Sequence, residues 1–430
     1  MNWLKKILIL FVVVLSFSSN NTSAQMQEEL KQYFYDGIYF VAIEDYREAL
    51  FNFKKVFDKG INNANINYYI GLCYIHLENE KTKAIPYLEN ASQSISMDFT
   101  EGQFKETTSP TETFFWLAIG YHIAGDFEKA VLNYRKYNSF LDKNDDNLKF
   151  SKLQITACSN AKQMMAKPSP ITFERMNDDI NNNSPNFRPV GCANDSLFIF
   201  MNRLKFYDGL YLMQIDPLKA TWTKPRNINQ EIKSDGKLYI CSVSSDGKQM
   251  FFVQNDYDNY NIYTSHYNST EKKWTVIEKF KPLSSKYYEG HASISADGNT
   301  IFFTATYQNS IGGVDIYKME KKSNGEWGKP ENMGINVNTL FNEESPFITA
   351  DGQKLFFSSQ GHTTMGGYDI FYCTKTGNGW SKPVNVGYPL NTTDDDLYFC
   401  PAGNGDYGYI SRINTEQKEM KEDIYIVRFK

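Results

Sequence analysis

Acidic side chains recur at one fixed position in the second half of the chain. Glu289, Glu343 and Asp396 each lie eight residues before an Asp-Gly or Asn-Gly dipeptide, and Glu344 and Asp395 are neighbours of two of them. Carboxylate oxygens are the ligands that hard cations prefer, and a group of them also attracts basic side chains. If the fold gathers these five residues at one place, they are predicted to bind a cation or a basic segment of a partner.

A polar rim without any ligand is the alternative interpretation of the same positions. The two earlier units of the pattern carry Asn186 and Leu238 there, so the acidic set is incomplete. The choice between the two interpretations depends on the elements that hold these positions.

The positions belong to a repeat with a period of roughly 50 residues. From 290 the chain reads GHASISADGNTIFFTATYQNSIGGVDIYKMEKKSNGEWGKPENMGINVNT, and from 344 it reads ESPFITADGQKLFFSSQGHTTMGGYDIFYCTKTGNGWSKPVNVGYPLNT. Each unit contains a short strand, an Asp-Gly turn, an apolar strand, a Gly-Gly loop, an Asp-Ile strand and a Trp-x-Lys-Pro segment. Asp-Gly between two such strands is a strong hairpin signal, and four short strands per unit predict a propeller blade.

Five such units follow one another. Their turn residues are spaced 52, 51, 54 and 53 residues apart: Asn194, Asp246, Asp297, Asp351 and Asn404. The fifth unit ends at Lys430 after three strands, and a segment that resembles the missing strand precedes the first unit at Ile171–Asn183. Because an unpaired strand edge promotes aggregation, the N-terminal segment is predicted to complete the last blade. Residues 168–430 are thus predicted to form a five-bladed β-propeller closed by N-terminal strand exchange.

The residues 25–167 are predicted to be helical and are also repetitive. Gly37, Gly71 and Ala118 share one small-residue position, and a larger residue follows 16 or 17 residues later in each unit: Phe53, Leu88 and Tyr134. A small residue where two antiparallel helices cross lets them approach, and the larger one fills the groove. This arrangement resembles tetratricopeptide repeats, which stack into an α-solenoid. Residues 147–167 are predicted to be its capping helix, and Pro168 and Pro170 a stiff linker.

Stacked helix pairs form a concave groove, which commonly holds a peptide or a helix of a partner. The helical half is rich in aromatic residues, and four of its side chains are candidates for lining this groove: Tyr69, His76, Phe115 and Trp116. Packing in the helical core is the alternative for each of them.

The N-terminus indicates export. Residues 1–24 contain the basic pair Lys5 and Lys6, an apolar run over 7–17 and small residues before a predicted cleavage site after Ala24. This pattern is typical of a secretory signal peptide. An uncleaved membrane anchor is the alternative, although the apolar run is short for a membrane span. The six cysteines of the exported chain are expected to be buried thiols, with a bridge from Cys192 to Cys241 or Cys400 as the alternative.

Composition and motifs argue against several classes of function. A formal net charge of −5 disfavours a nucleic-acid surface. The sequence has no Gly-x-Ser-x-Gly elbow, P-loop, His-Glu-x-x-His or dinucleotide-binding pattern, and its five histidines are scattered. No catalytic residue, cofactor or metal is therefore predicted. The once-per-blade residues Asp315, Asp369 and Asp423 are predicted to be structural caps that accept hydrogen bonds from loop N–H groups.

The TADGQKLFFSS, GGYDIFYC and Trp-x-Lys-Pro segments resemble the TolB-type, WD-like propeller repeats of exported proteins from Gram-negative bacteria. A signal peptide followed by tetratricopeptide repeats and such a propeller is similar to periplasmic proteins associated with type IX secretion and gliding. Proteins of that kind often continue into an OmpA-like peptidoglycan-binding domain, which the pattern here does not include.

The resemblance implies a non-enzymatic scaffold, exported to the periplasm or associated with the outer membrane, that binds other proteins of the cell envelope. No nucleic-acid partner and no transmembrane segment after signal cleavage are expected. A sensor that holds a glycan, peptide or cation at the propeller mouth is the alternative function.

Overall fold

The computed structural model describes residues 25–192, 195–216, 218–256, 259–377, 379–415 and 420–430. The predicted signal peptide over 1–24 and the turn residue at 194 lie outside the described residues. Two compact units make up the chain, and they divide between Ile155 and Thr156. This division lies inside the last long helix, whereas the boundary predicted from the sequence follows Lys167.

The N-terminal half is helical. Its helices are α1 (25–42), α2 (Tyr46–Asp58), α3 (Ala64–His76), α4 (Ala84–Ala91), α5 (Thr113–Ile123), α6 (Phe127–Asn138) and α7 (Asp146–Ala166), with a 3₁₀ turn at Lys81–Lys83. Three helices begin with a side chain that accepts a hydrogen bond from the backbone N–H three residues on: Asp45, Asn63 and Asp126. Such caps satisfy N–H groups that have no partner within the helix. Residues 97–111 lie between α4 and α5.

Small residues allow neighbouring helices to pack closely. A Cβ atom at Gly71 would lie 2.4 Å from Leu88 Cγ, and one at Gly37 would lie 2.8 Å from Phe53 Cε1. The partners Phe53 and Leu88 are fully buried, as are Ala118 and Tyr134 of the third pair. The prediction that small residues mark the helix crossings is confirmed at Gly37 and Gly71.

The C-terminal half forms five antiparallel sheets, one per blade, after the strand β1 (Ile171–Arg175). Blade 1 contains β2 (Asn186–Gly191), β3 (Leu197–Arg203), β4 (Asp208–Asp216), β5 (Thr221–Trp222) and β6 (Arg226–Asn227), followed by a short helix at Asn229–Ile232. Blade 2 contains β7 (Leu238–Val243), β8 (Gln249–Asp256), β9 (Asn259–Asn268), β10 (Lys273–Trp274) and β11 (Glu278–Lys279), followed by a 3₁₀ turn at Lys281–Leu283.

The last three blades repeat this order. Blade 3 contains β12 (Glu289–Ile294), β13 (Thr300–Ala305), β14 (Asp315–Glu320) and β15 (Glu331–Asn332). Blade 4 contains β16 (Glu343–Ile348), β17 (Lys354–Ser359), β18 (Asp369–Thr376), β19 (Gly379–Trp380) and β20 (Val384–Asn385). Blade 5 contains β21 (Cys400–Ala402), β22 (Tyr407–Asn414) and β23 (Lys421–Phe429). The first strands of consecutive blades contact each other, and β2 contacts β21 and β22, so the ring is closed.

Strand exchange completes blade 5. The strand β1 pairs antiparallel with β23, with Ile171 opposite Phe429 and Arg175 opposite Tyr425. Arg175 Nε donates a hydrogen bond of 2.7 Å to Asp423 Oδ2, and Asp423 is fully buried. The five-bladed architecture and its closure by the N-terminal strand are therefore confirmed.

Packing between blades involves three of the four repeated tryptophans. Trp274 is buried, Trp327 contacts Phe280 with ring centroids 5.9 Å apart, and Trp380 contacts Phe302 at 6.0 Å. Trp222, by contrast, is 43% exposed. All six cysteines are buried free thiols, and the disulfide alternative is not realised.

From the Arg175–Asp423 contact we predict how much strand exchange contributes to the stability of the propeller. Burial opposes ionisation of Asp423, but hydrogen bonds from Lys421, Asn414 and Arg175 outweigh it and lower the pKa of this carboxyl group. Changing Arg175→Ala is expected to lower the free energy of unfolding by about 2 kcal/mol, because a charged hydrogen bond at the closure is lost. Urea unfolding followed by near-ultraviolet circular dichroism measures this change.

Glu174→Ala is the matched control for this prediction. Glu174 lies on the same strand but is exposed, and its carboxylate is 3.5 Å from Arg428. Loss of such a surface ion pair is expected to change the free energy of unfolding by less than about 1 kcal/mol. Equal effects of the two substitutions would show that the buried contact does not secure the closure.

Candidate functional site

The recurrent acidic residues at the start of the first strands are structural. Glu289 and Glu343 are fully buried and Asp396 is 8% exposed. Each carboxylate accepts a hydrogen bond from the backbone N–H four residues earlier: Ser285 at 3.4 Å, Thr339 at 2.8 Å and Thr392 at 2.5 Å. These contacts fix the loops that lead into β12, β16 and β21.

Further hydrogen bonds occupy two of these carboxylates. Tyr307 Oη donates to Glu289 at 2.7 Å, and Ser359 Oγ donates to Glu343 at 2.7 Å. A solvated carboxylate rim therefore does not describe Glu289, Glu343 and Asp396, because burial and loop contacts withdraw them from solvent. Within the described ranges, no group of three or more His, Cys, Asp or Glu side chains is arranged to hold a metal ion.

The other two predicted mouth residues lie in different surroundings. Asp395 is exposed, and its Oδ1 accepts a hydrogen bond of 3.0 Å from the backbone N–H of Tyr368. Glu344 is half-buried and accepts a hydrogen bond of 3.0 Å from Tyr288 Oη. The fold thus separates the five residues into three loop contacts, one surface residue and one residue near the propeller axis.

Burial changes the proton affinity of the loop carboxylates. It raises the pKa of Glu343 to about 7, although hydrogen bonds from Ser359 and Thr339 oppose the shift. Burial likewise raises the pKa of Glu289, and burial together with the charge of Asp369 raises that of Asp396. All three groups therefore keep their protons to a higher pH than an exposed carboxyl group does.

The once-per-blade aspartates act as predicted in two blades. Asp315 accepts hydrogen bonds from the backbone N–H groups of Ile311 and Gly312, and Asp369 accepts them from Met365 and Gly366. These contacts order the Gly-Gly loops, so the interpretation as structural caps is confirmed there. Asp423 instead receives side-chain hydrogen bonds, including the one from Arg175.

Three of the four predicted groove residues lie together in the helical unit. The ring centroids of His76 and Trp116 are 5.2 Å apart, and those of Trp116 and Phe115 are 5.1 Å apart. The fold adds Tyr46, whose ring stacks on His76 at 4.2 Å. His76 is exposed, and the other three rings are half-buried.

Tyr69 is in the helical core and not in this group. Its side chain is 1% exposed and stacks on Phe53 with ring centroids 4.9 Å apart. Its hydroxyl oxygen accepts a hydrogen bond of 2.9 Å from the backbone N–H of Gly102. Burial and this contact leave Tyr69 no role at a surface groove, so its placement there is corrected.

A second polar cluster lies on the propeller axis and was not predicted from the sequence. The Arg188 guanidinium of blade 1 lies 4.7 Å from the Tyr239 ring centroid of blade 2 and 3.8 Å from that of Tyr398 in blade 5. The His291 ring of blade 3 lies 6.3 Å from the Tyr398 ring. Blades 3 and 5 are not neighbours, so a contact between them places these side chains at the axis.

Backbone irregularities position this axial cluster. The first strands contain bulges between Phe187 and Val190, between Ile240 and Ser242, between Glu289 and Ala292 and between Glu344 and Phe347. Arg188, Ser345 and Tyr398 adopt positive φ angles of 48°, 53° and 59°. Non-glycine residues rarely adopt this conformation, and both bulges and such strain are enriched at functional sites. The sequence signal was available in part, because Arg188, His291 and Tyr398 all lie six residues before a turn residue.

Beyond the axial cluster, the propeller axis contains a cavity. A cavity of about 50 Å³ is lined by all five blades two or more residues further along the first strands, at Val190, Ser242, Ser293, Phe347 and Cys400 among others. Phe347 also contacts the His291 ring at 4.6 Å, which links the cavity to the cluster.

Several solved structures are similar to parts of the chain. TolB from Acinetobacter baumannii is 17% identical with a TM-score of 0.37, and the match covers 57% of this chain and 56% of that one. A putative TolB from Agrobacterium tumefaciens is 14% identical over 58% of this chain and 74% of its own, with a TM-score of 0.35. A thermostable family-43 glycoside hydrolase is 16% identical over 57% and 89%, with a TM-score of 0.39.

These similarities carry no argument about function, because identity and TM-score are both low. The chain spans just over half the length of the Acinetobacter TolB. No family model and no curated protein matches the sequence. Among the helices that the structure describes, none has the length and apolar character that crossing a bilayer requires.

The raised pKa of Glu343 predicts a pH dependence of stability. Between its ordinary value of 4.5 and about 7, the folded protein holds this proton more tightly than the unfolded chain does. The stability from this group is therefore present at lower pH and is lost as the pH rises through about 7. Thermal melting across this range is expected to show a falling melting temperature, and Glu343→Gln is expected to make the decline shallower.

Glu331→Gln serves as the control for the pH series. Glu331 is an exposed carboxylate in blade 3 that lies 3.4 Å from Lys318. Its substitution is expected to leave the pH profile unchanged. If the melting temperature of the Glu343→Gln variant depended on pH as that of the wild type does, the raised pKa of Glu343 would be contradicted.

Proposed function

We propose that the protein is a non-enzymatic scaffold, exported to the cell envelope, whose helical unit binds a segment of another envelope protein. The propeller provides a second, independent interaction module. By the resemblance of its sequence pattern, the assembly it serves is an outer-membrane secretion or motility machine.

The observation that carries this proposal is an aromatic ladder, formed by Tyr46, His76 and Trp116. Tyr46 and His76 stack with an interplanar angle of 14°, and Trp116 contacts His76 edge-on. The three residues come from α2, α3 and α5, so the ladder runs across successive helices instead of along one.

A ladder of this kind suits a protein segment. Rigid aromatic rings offer large contact areas at low cost in conformational entropy, and they are enriched among residues that dominate binding energy. Stacked helices commonly hold an extended or helical segment of a partner in this way. The expected occupant is a segment with apolar or aromatic side chains that pack between the rings.

The proposal that the protein is not an enzyme is supported by the buried carboxylates, which are already hydrogen-bonded within the protein. Glu289 and Glu343 accept two or more hydrogen bonds each from the protein itself, and each fixes its own loop. A general acid or base needs access to a substrate proton, and these groups are fully buried.

The experiment is crosslinking in cells followed by affinity capture of the mature protein. One dominant envelope protein is expected to be recovered with the wild type. The combined substitution His76→Ala and Trp116→Leu is expected to reduce this recovery about tenfold or more, since two contact rings are removed. Melting temperatures of the purified variants check that the helical unit remains folded.

Phe51→Ala is the matched control for capture. Phe51 is 54% exposed on α2 and has no contact with the ladder among the described ring contacts. Its substitution is expected to leave recovery unchanged. The scaffold proposal fails if wild type and double variant recover the same proteins in equal amounts.

A further inference from the structure

The axial cluster contains an arginine, Arg188, whose hydrogen-bond donors are mostly unused within the described residues. In the part of the chain that the structure describes, the Arg188 side chain makes one hydrogen bond, from Nη2 to Tyr398 Oη at 2.6 Å, and no ion pair. A guanidinium group has five N–H donors. Arg188 is half-buried, so the donors that the protein does not use are available to a ligand.

Two aromatic rings hold this guanidinium in a fixed plane. Tyr239 and Tyr398 approach it within 4.7 Å and 3.8 Å. Arginine stacks on ring faces while its N–H groups point outward in the plane of the group. The two rings therefore hold the outer N–H groups of the guanidinium in place as hydrogen-bond donors. A lysine, which is flexible and has no planar group, would not provide this arrangement.

Two titratable groups lie near enough to Arg188 to interact with its charge, His291 and Glu344. Burial and the proximity of Arg188 lower the pKa of His291 to about 3, so its imidazole is neutral. Burial raises the pKa of Glu344, against the opposing effects of the Tyr288 hydrogen bond and of Arg188. The imidazole therefore adds no positive charge to the site, and the raised pKa of Glu344 reduces the competition of this carboxyl group with a negative occupant for Arg188.

Two polar atoms in the first strands of blades 3 and 4 are buried without a hydrogen-bond partner among the described residues. His291 is 3% exposed and Ser345 is 2% exposed, and neither His291 Nδ1 nor Ser345 Oγ has a hydrogen-bond partner within the described residues. Buried polar atoms are almost always satisfied in folded proteins, so exceptions indicate a role for a bound group. Both atoms belong to the bulged segments that surround the axis.

We propose that the propeller axis binds a carboxylate group, which Arg188 receives through two parallel N–H···O hydrogen bonds. A planar carboxylate matches the edge of a guanidinium group, and such charge-assisted pairs are strong and directional. A phosphate group, with close to two negative charges near pH 7, would call for more than the single cation of this cluster.

The carboxylate can come from a free small acid or from the end or an acidic side chain of a peptide. Both sources present the same group to Arg188. This inference goes beyond the proposed scaffold function and does not depend on the aromatic ladder, so either can fail without the other.

Isothermal titration calorimetry of the mature protein tests the site. Acetate is expected to bind at constant ionic strength, whereas acetamide, its neutral isostere, is expected not to bind. Arg188→Gln is expected to weaken acetate binding more than about thirtyfold, because one partner of a desolvated charge pair is lost. Arg188→Lys, which keeps the charge but not the planar edge, is expected to weaken it about tenfold.

Arg203→Gln is the matched control. Arg203 is also in blade 1 and lies 4.8 Å from the Phe187 ring, but it is exposed and Asp208 lies 3.8 Å away. Its substitution is expected to leave acetate binding unchanged. A crystal structure of the wild type with acetate locates the ion independently of any variant, in case Arg188→Gln does not fold.

Two peptides of the same sequence distinguish the sources of the carboxylate. One has a free C-terminus and the other is amidated, with no acidic side chain in either. Tighter binding of the free-acid peptide than of acetate indicates a peptide ligand, and equal affinity indicates a small acid; both outcomes support the site. Binding of phosphate without acetate, equal binding of acetate and acetamide, or equal losses in the Arg188→Gln and Arg203→Gln variants would overturn it.

Discussion

Backbone N–H and C=O groups at the edge of a sheet require partners, and this requirement determines how the propeller is closed. The chain meets it by pairing β1 with β23, so one blade is built from both ends of the unit. The side chains of Arg175 and Asp423 join the same two strands. Because the ring is closed, the first strands surround one axis, and side chains from separate blades come into contact there. The axial cluster therefore exists only as long as the closure does.

The architecture was predictable because its signals are local. Turn dipeptides at regular spacing gave the number of blades, and the incomplete fifth unit indicated that a strand must come from elsewhere in the chain. Gly37 and Gly71 likewise marked the helix crossings. The roles of the recurrent acids were less accessible, since charge alone suggested exposure. A hydroxyl residue precedes each of these acids by four positions, at Ser285, Thr339 and Thr392, and this spacing is the signal of a loop contact that sequence reasoning missed.

The axial residues could not be assigned because their orientation depends on bulges. In a regular strand, residues on one face alternate, so a position eight before the turn and one six before it would point the same way. An extra residue in the strand changes that relation, and Arg188 and Tyr398 lie at such irregular points. A positive φ angle is not predicted from sequence for an arginine or a tyrosine. Two side chains next to one another in sequence, Glu343 and Glu344, consequently serve a loop and the axis respectively.

Strand exchange also determines the order in which parts of the propeller can form. Synthesis produces β1 long before β23, so blade 5 cannot be completed until β23 has been made. Pairings between such distant segments form slowly, because a long loop must close before any contact rewards it. Until β23 is available, β1 has no strand to pair with and the propeller cannot close. Ring closure is therefore expected to be a late step in the folding of the propeller.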